Sequence, residues 1–442
     1  MLLKFRPVET PSTPLTLSAS AWSLPYVLMT AWGVIQLWLH GSSVQSLSQD
    51  LIMALIYSTV IAGSMLPIIN RSVGYRISTG KTQHVIEDAL GCLLVVLALS
   101  VALALVLVTQ SQYFRDPLHL AIQLAGVVLM ANCWILSVIL FSSGKQDAVF
   151  NSVLVGCGIL ALAAIYQPMA GLSYYSLAWL SAIAAMLLLQ AKSLTKYLPR
   201  PSRISLSLVI GRSASMELSL AGTSLCLALW LSRPSAHSPA EPSIIMRSLE
   251  DSQSTAYLLL LPVAMIAWTP LEKRFKEALF AFEHAANGGG NLNTLDYHKN
   301  NLVFQALSGM QRVHIALIAA VVVALAIDQL LDQQWSTFQW PSWMLPLSLV
   351  HVGLQMVTLC TMRLLFYLQR DRELLALSML HLLFITLAVG ASHQDNVLVI
   401  SYGLVVGSSL NCVISVWLLR HRLNRLDYLF FMGSPKPIHD TD

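Results

Sequence analysis

The chain has 442 residues, of which 56% are hydrophobic and only 11% charged, with a formal net charge of +4. Its mean hydropathy of +0.65 is far above what a soluble domain tolerates, so the lipid bilayer is its solvent. The small positive charge is therefore read as a topology signal and not as an affinity for nucleic acid.

A bilayer-spanning helix needs roughly 20 mostly apolar residues, and the chain holds about twelve such runs. The first covers residues 15–40; no small-residue cleavage site follows it, so it is read as a retained span and not a secretory signal. Within it Pro25 breaks the helical hydrogen-bond ladder, which places Trp22 and Tyr26 beside an expected kink or hinge. Further spans at 51–69, 89–108, 118–141, 148–166 and 172–190 complete the first half. Between the second and third, GYRISTGKT at 74–82 is one residue too long for a P-loop and follows no strand, so it is a basic loop.

QAKSLTKYLPRPSR at 190–203 is basic and bears prolines, as a linker between two six-helix halves would. The expected organisation is an N-terminal lobe at 1–190, a linker at 191–203 and a C-terminal lobe at 204–442, a parallel repeat of the kind transporters build a path between. The fold class is accordingly all-α: a polytopic membrane protein of about twelve spans in two six-helix lobes.

The seventh span, 204–231, is unusually polar. Arg212, Ser215, Ser219 and Thr223 recur at helical spacing, and Ser213, Glu217 and Ser224 form a neighbouring stripe. Ionisable groups in a span face a wet path or a paired partner, so Arg212 and Glu217 are candidate path residues. Glu217 falls about midway along the predicted helix. The remaining spans are 255–269, 313–327, 343–367, 374–389 and 397–419. Among their polar residues His351 is a further path candidate, whereas Gln355, Thr358, His381 and Asn411 are expected to make packing hydrogen bonds. Trp22, Tyr26, Arg212, Glu217 and His351 together are the candidate path residues, supplying stacking faces and hydrogen-bonding groups.

Between the eighth and ninth spans lies FEHAANGGGNLNTLDYHKNNLVFQ at 282–305. Upstream, Leu271, Phe275, Leu279 and Phe282 share one helical face. Gly288 suits the left-handed residue that ends a helix, with Gly289 and Gly290 completing a turn. Asn293 is placed as an N-cap, Asp296 as its capping-box partner, and Leu292 with Tyr297 as a hydrophobic staple. No Lys-Ser/Thr pair follows the glycines, so the segment 271–312 is a helical hairpin and not a phosphate cradle.

If the N-terminus is inside and the chain crosses twelve times, the 26 Lys and Arg residues sort strongly. Only Arg115, Arg233 and Arg247 fall outside, and Arg212 lies in a span. Both termini and the hairpin are then cytoplasmic. The six cysteines all sit in predicted spans without a CxxC or a metal-ligand spacing, and are read as small core residues; no metal or cofactor is expected. No HExxH or GxSxG motif is present, which counts against an enzyme without excluding one.

AYLLLLPVAMIAWTPLEKRFKEALFAFEHAANGGGNLNTLDYHKNNL, LLFYLQRDRELLAL and SYGLVVGSSLNCVISVWLLRHRLNRLDYLFFM resemble the Pel exopolysaccharide inner-membrane transporters (PelG), within the MOP flippase-like exporters. Weaker likeness extends to NRSVGYRISTGK and ILFSSGKQDAVF. At 230–233 the chain reads WLSR, with Ser232 where the family tends to carry an acid, so it resembles a divergent member. The resemblance implies a MOP/MATE-like fold in the bacterial inner membrane and export of an extracellular polysaccharide or its lipid-linked precursor. It also implies partners, a cytosolic glycosyltransferase and membrane scaffold subunits of a synthase complex. The hairpin, through Phe275, Phe282, Gly288, Gly289 and Gly290, is the candidate docking surface for them. The alternative on the same scaffold is a cation-coupled exporter of small molecules.

Overall fold

The computed structural model describes residues 45–78, 83–109, 117–143, 145–165, 172–197, 204–205, 213–232, 244–287, 291–332, 341–390 and 396–426. Among them the chain forms eleven helices: α1 (Gln45–Ser78), α2 (Gln83–Thr109), α3 (Pro117–Ser142), α4 (Gln146–Ile165), α5 (Leu172–Tyr197), α6 (Ser213–Leu231), α7 (Ile244–Asn287), α8 (Leu292–Asp332), α9 (Met344–Tyr367), α10 (Asp371–Gly390) and α11 (Val397–Asn424). Each predicted span from the second to the twelfth falls on one of them, in order. The first span, with Trp22 and Tyr26, lies outside the described residues. Eight of the helices are long and apolar enough to cross a bilayer.

In lipid an unpaired backbone amide costs several kcal/mol, so these apolar runs have only helix as a stable form. What joins the helices is then side-chain packing and a few polar contacts, because lipid tails are as apolar as leucine. α1 packs on α2, α3 and α6; α3 packs on α2 and α5; and α4 packs on α5. On the other side α6 packs on α10, α10 on α11, α11 on α9, and α9 on both α7 and α8. The extended contact between α1–α5 and α6–α11 is α1 against α6. Helix α9 is the most enclosed, with 78% of its apolar window buried, whereas α8 is peripheral at 22%. Ile315, Ile318, Val322 and Val323 of α8 face outward, as a lipid-facing surface requires.

The ends of α1, α9 and α11 and the starts of α2, α6 and α10 gather at one end of the bundle, joined there by ion pairs of Arg71, Arg76, Arg372 and Arg422. We refer to it as the basic end. Helices α7 and α8, of 44 and 41 residues, are each ~60 Å long, about twice the hydrocarbon thickness. Beyond Glu272, which bonds to the last turns of α9, α7 runs on for ~22 Å as the first arm of the segment 271–312 expected to be a helical hairpin.

Candidate functional site

The basic end is held by a set of polar contacts and one close helix crossing nearby. Arg71, near the end of α1, meets Asp371, the first residue of α10: Nη1 donates to Oδ2 at 2.5 Å and Nη2 to Oδ1 at 2.7 Å. This two-point fit matches the planar guanidinium fork to a carboxylate. The same guanidinium carbon lies 4.9 Å from the centroid of the Phe366 ring, a cation–π contact. Asp371 is held by the turn before it. The Arg370 amide bonds Leu365 O and the Gln369 amide bonds Phe366 O, both at 3.1 Å, which is a Schellman closure of α9. Gln369 takes the left-handed position at φ 57°, usually given to glycine.

Next to it, Glu272 of α7 gathers four donors. Trp268 Nε1 donates to Oε2 at 2.9 Å; Lys276 Nζ (2.8 Å), Arg363 Nη2 (3.0 Å) and the Tyr367 hydroxyl all reach Oε1. Glu272 is 2% exposed and Arg363 8%. A carboxylate so far from water is tolerated only because it is paired and multiply bonded. The Arg363 and Lys276 cations also lie over the Tyr367 ring, at 5.1 and 4.7 Å. The cluster fastens α7 to α9.

Helices α1 and α6 touch backbone to backbone. A Cβ on Gly222 would lie 2.0 Å from Gly63 O and 3.0 Å from Pro67 Cγ, and one on Gly63 would lie 2.5 Å from Cys226 Sγ. Only hydrogen side chains permit that approach. Further pairs hold neighbouring helices on each side of the crossing: Ser142 to Asn70 at 2.8 Å and Arg76 to Asp88 on one side, Arg422 to Glu373 at 2.7 Å on the other.

A polar seam runs between α9 and α11. His351 is 1% exposed; its Nδ1 lies 2.8 Å from Ser408 Oγ and 3.2 Å from Leu404 O. From α7 the Tyr257 hydroxyl donates to Gln355 Oε1. Asn411 is fully buried, and neither of its amide atoms has a hydrogen-bond partner among the described residues. Thr358 bonds its own helix at Leu354 O, 3.0 Å away.

Among the described sequence-predicted site residues, Glu217 and His351 fall in separate contacts. Trp22, Tyr26, Arg212 and Gly288, Gly289 and Gly290 lie outside the described residues. Glu217 is not at mid-depth: it sits in the second turn of α6 and accepts from Arg372 Nε at 3.3 Å. Because Arg372 is in the first turn of α10, Glu217 lies level with the start of α10, at the basic end. His351 is interior to the α9–α11 packing. Phe275 and Phe282 are both 0% exposed, and the Phe275 ring lies 6.4 Å from that of Tyr367 on α9, so a docking surface there must be made by other side chains. The α8 cap also differs from expectation. Asn291 Oδ1 accepts from the Thr294 amide and hydroxyl, each at 2.8 Å, two positions before Asn293, and the intended staple residues Leu292 and Tyr297 are both exposed. Of the cysteines, Cys157 is exposed and the other five are buried, all as free thiols.

Sequence reading missed Arg71–Asp371, the Glu272 cluster and the Gly63–Gly222 crossing. The isolated glycines within apolar runs and the acid in LEKRFK were the available signals.

The fold is shared with solved structures. The chain superposes on a multidrug resistance MATE family transporter of the MOP superfamily in its outward-facing conformation with a TM-score of 0.60 at 14% identity, over 93% of this chain and 94% of the other. The inward-facing conformation of such a transporter gives 0.58 at 14% identity, over 93% and 99%. A MOP superfamily transporter from Pyrococcus furiosus gives 0.55 at 12% identity, over 93% and 94%. No curated protein sequence matches this chain. The fold is thus that of a MOP-type membrane transporter. The PelG exopolysaccharide exporter (EPS-E) family matches residues 16–431, and the chain belongs to that family. The match runs through the first half as well, where sequence motifs alone were sparse.

Proposed function

We propose that this protein moves an extracellular, Pel-like polysaccharide, or its lipid-linked precursor, from cytoplasm to periplasm across the bacterial inner membrane. The observation that carries the reading is membership of the PelG exporter family over 16–431. The cargo would pass between two six-helix lobes, one containing α1–α5 and the other α6–α11, each completed to six by the first predicted span or its own helices. The basic end would be cytoplasmic, since Lys and Arg concentrate on that side, and both termini would lie there too.

The hairpin would then project into the cytoplasm and receive a glycosyltransferase or scaffold subunit of the synthase. Its exposed apolar side chains, Leu292, Tyr297 and Phe304, replace Phe275 and Phe282 as the contact candidates, because exposed apolar groups mark such surfaces. The test is a deletion strain carrying the wild-type gene or an empty vector. Loss of secreted polymer on deletion, with restoration by the gene, supports the reading. Unchanged polymer with a gain in sensitivity to cationic drugs sinks it in favour of small-molecule export.

A further inference from the structure

We infer that the Arg71–Asp371 pair, seated on Phe366, is a gate that shuts the basic end between the two helix groups and opens during each cycle. The inference rests on the transporter reading, but its test reads conformation and needs no cargo.

The placement of the pair separates it from its neighbours. Ser142–Asn70 and Arg76–Asp88 tie helices within α1–α5, whereas Glu217–Arg372, Arg422–Glu373 and the Glu272 cluster tie helices within α6–α11. Arg71–Asp371 crosses from α1 to α10, between the groups. Its exposure also suits a contact that breaks. The Arg71 and Asp371 side chains are 29% and 11% exposed, so water can reach each partner as they part and offset part of the lost attraction. Glu272 and Arg363, at 3% and 9%, would lose their partners without gaining water, which marks that cluster as permanent.

The geometry also makes the pair re-form in one way. The closed turn with Gln369 at φ 57° aims Asp371 from α10, and the Phe366 ring, 6% exposed, supports the guanidinium from below. A two-point pair with an aromatic floor has a single docked arrangement, whereas a lone lysine contact would have many. The Gly63–Gly222 contact, about two turns along α1 from Arg71, supplies a place where the groups can stay in touch while this end parts.

The test uses a full-length chain whose six native cysteines are replaced by alanine, with Leu218→Cys as the reporter. Leu218 is 3% exposed and one turn from Gly222 on the same face of α6. Sealed vesicles with the basic end toward the bath are treated with a membrane-impermeant maleimide. The gate requires Asp371→Asn to raise the labelling rate about tenfold at equal abundance, the shift in closed-to-open ratio that ~1.4 kcal/mol produces. The charge swap Arg71→Asp with Asp371→Arg must label more slowly than Asp371→Asn. Should Asp371→Asn fail to accumulate, Phe366→Leu, which leaves both charges in place, must still speed labelling. Parental rates in Asp371→Asn, or in Phe366→Leu where that variant is used, overturn the gate, as does a swap that labels no more slowly than the single change.

Discussion

Glu272 on α7 and Arg363 on α9 are joined at 3.0 Å where both side chains are nearly sealed from solvent. The pair is the centre of a node in which one carboxylate serves Trp268, Lys276, Arg363 and Tyr367. Removing one member leaves a buried charge without its counter-charge. Glu272→Gln is therefore expected to destabilise the chain by ~3 kcal/mol or more, seen as a lower Tm in detergent. Glu272→Gln with Arg363→Met, which removes both charges, should recover most of the loss. Equal Tm values for Glu272→Gln and wild type would show that the node is not structural.

The α1–α6 crossing makes a second expectation, about size alone. Gly222→Ala places a methyl within 2.0 Å of Gly63 O, whereas a Cβ on Gly158 meets no atom within 4 Å. Gly222→Ala should cost ~1–3 kcal/mol as the helices are forced apart, and Gly158→Ala should leave Tm unchanged. The comparison is made by thermal unfolding of the two purified variants.

At the start of α8 two nearby asparagines have opposite roles. Asn291 bonds the Thr294 amide, while Asn293 is exposed. Asn291→Ala should cost ~1 kcal/mol and speed amide hydrogen exchange in the first turn of α8. Asn293→Ala should do neither; if Asn293→Ala speeds exchange instead, the cap is misassigned.

The hairpin allows packing to be separated from recognition. Phe282→Ala removes a fully buried ring and should cost ~3 kcal/mol. Tyr297→Glu with Phe304→Glu changes side chains that are 69% and 63% exposed, so stability should hold. If the hairpin docks the synthase, that double variant should lose the glycosyltransferase in a pull-down; retention would place docking elsewhere.

Much of the fold was legible because lipid leaves a chain few choices. Apolar runs of spanning length have to be helices, and even the hairpin showed in the 3.6-residue spacing of Leu271, Phe275 and Phe282. The junction was not legible, for a physical reason. Arg71 and Asp371 are 300 residues apart, and single-helix periodicity carries no information about which helix lies alongside. Phe275 and Phe282 illustrate the same limit: their shared face was evident, but whether it met a partner protein or the chain's own interior was not. Glu217 counts as midway along a span begun at residue 204, and only its ion pair with Arg372, in the first turn of α10, sets it level with that helix's start.

The meeting of Gly63 and Gly222 also has a mechanical side. Two backbones in direct contact cannot slide past each other without climbing over side chains, but they can rock, as a bearing does. Arg71 lies eight positions along α1, a lever arm of ~12 Å at 1.5 Å per residue. A tilt of about 15° at the glycines then carries the guanidinium ~3 Å, which is the full length of its hydrogen bonds. A rotation too small to disturb the interior packing of either group thus converts an intact two-point pair into two separately hydrated charges.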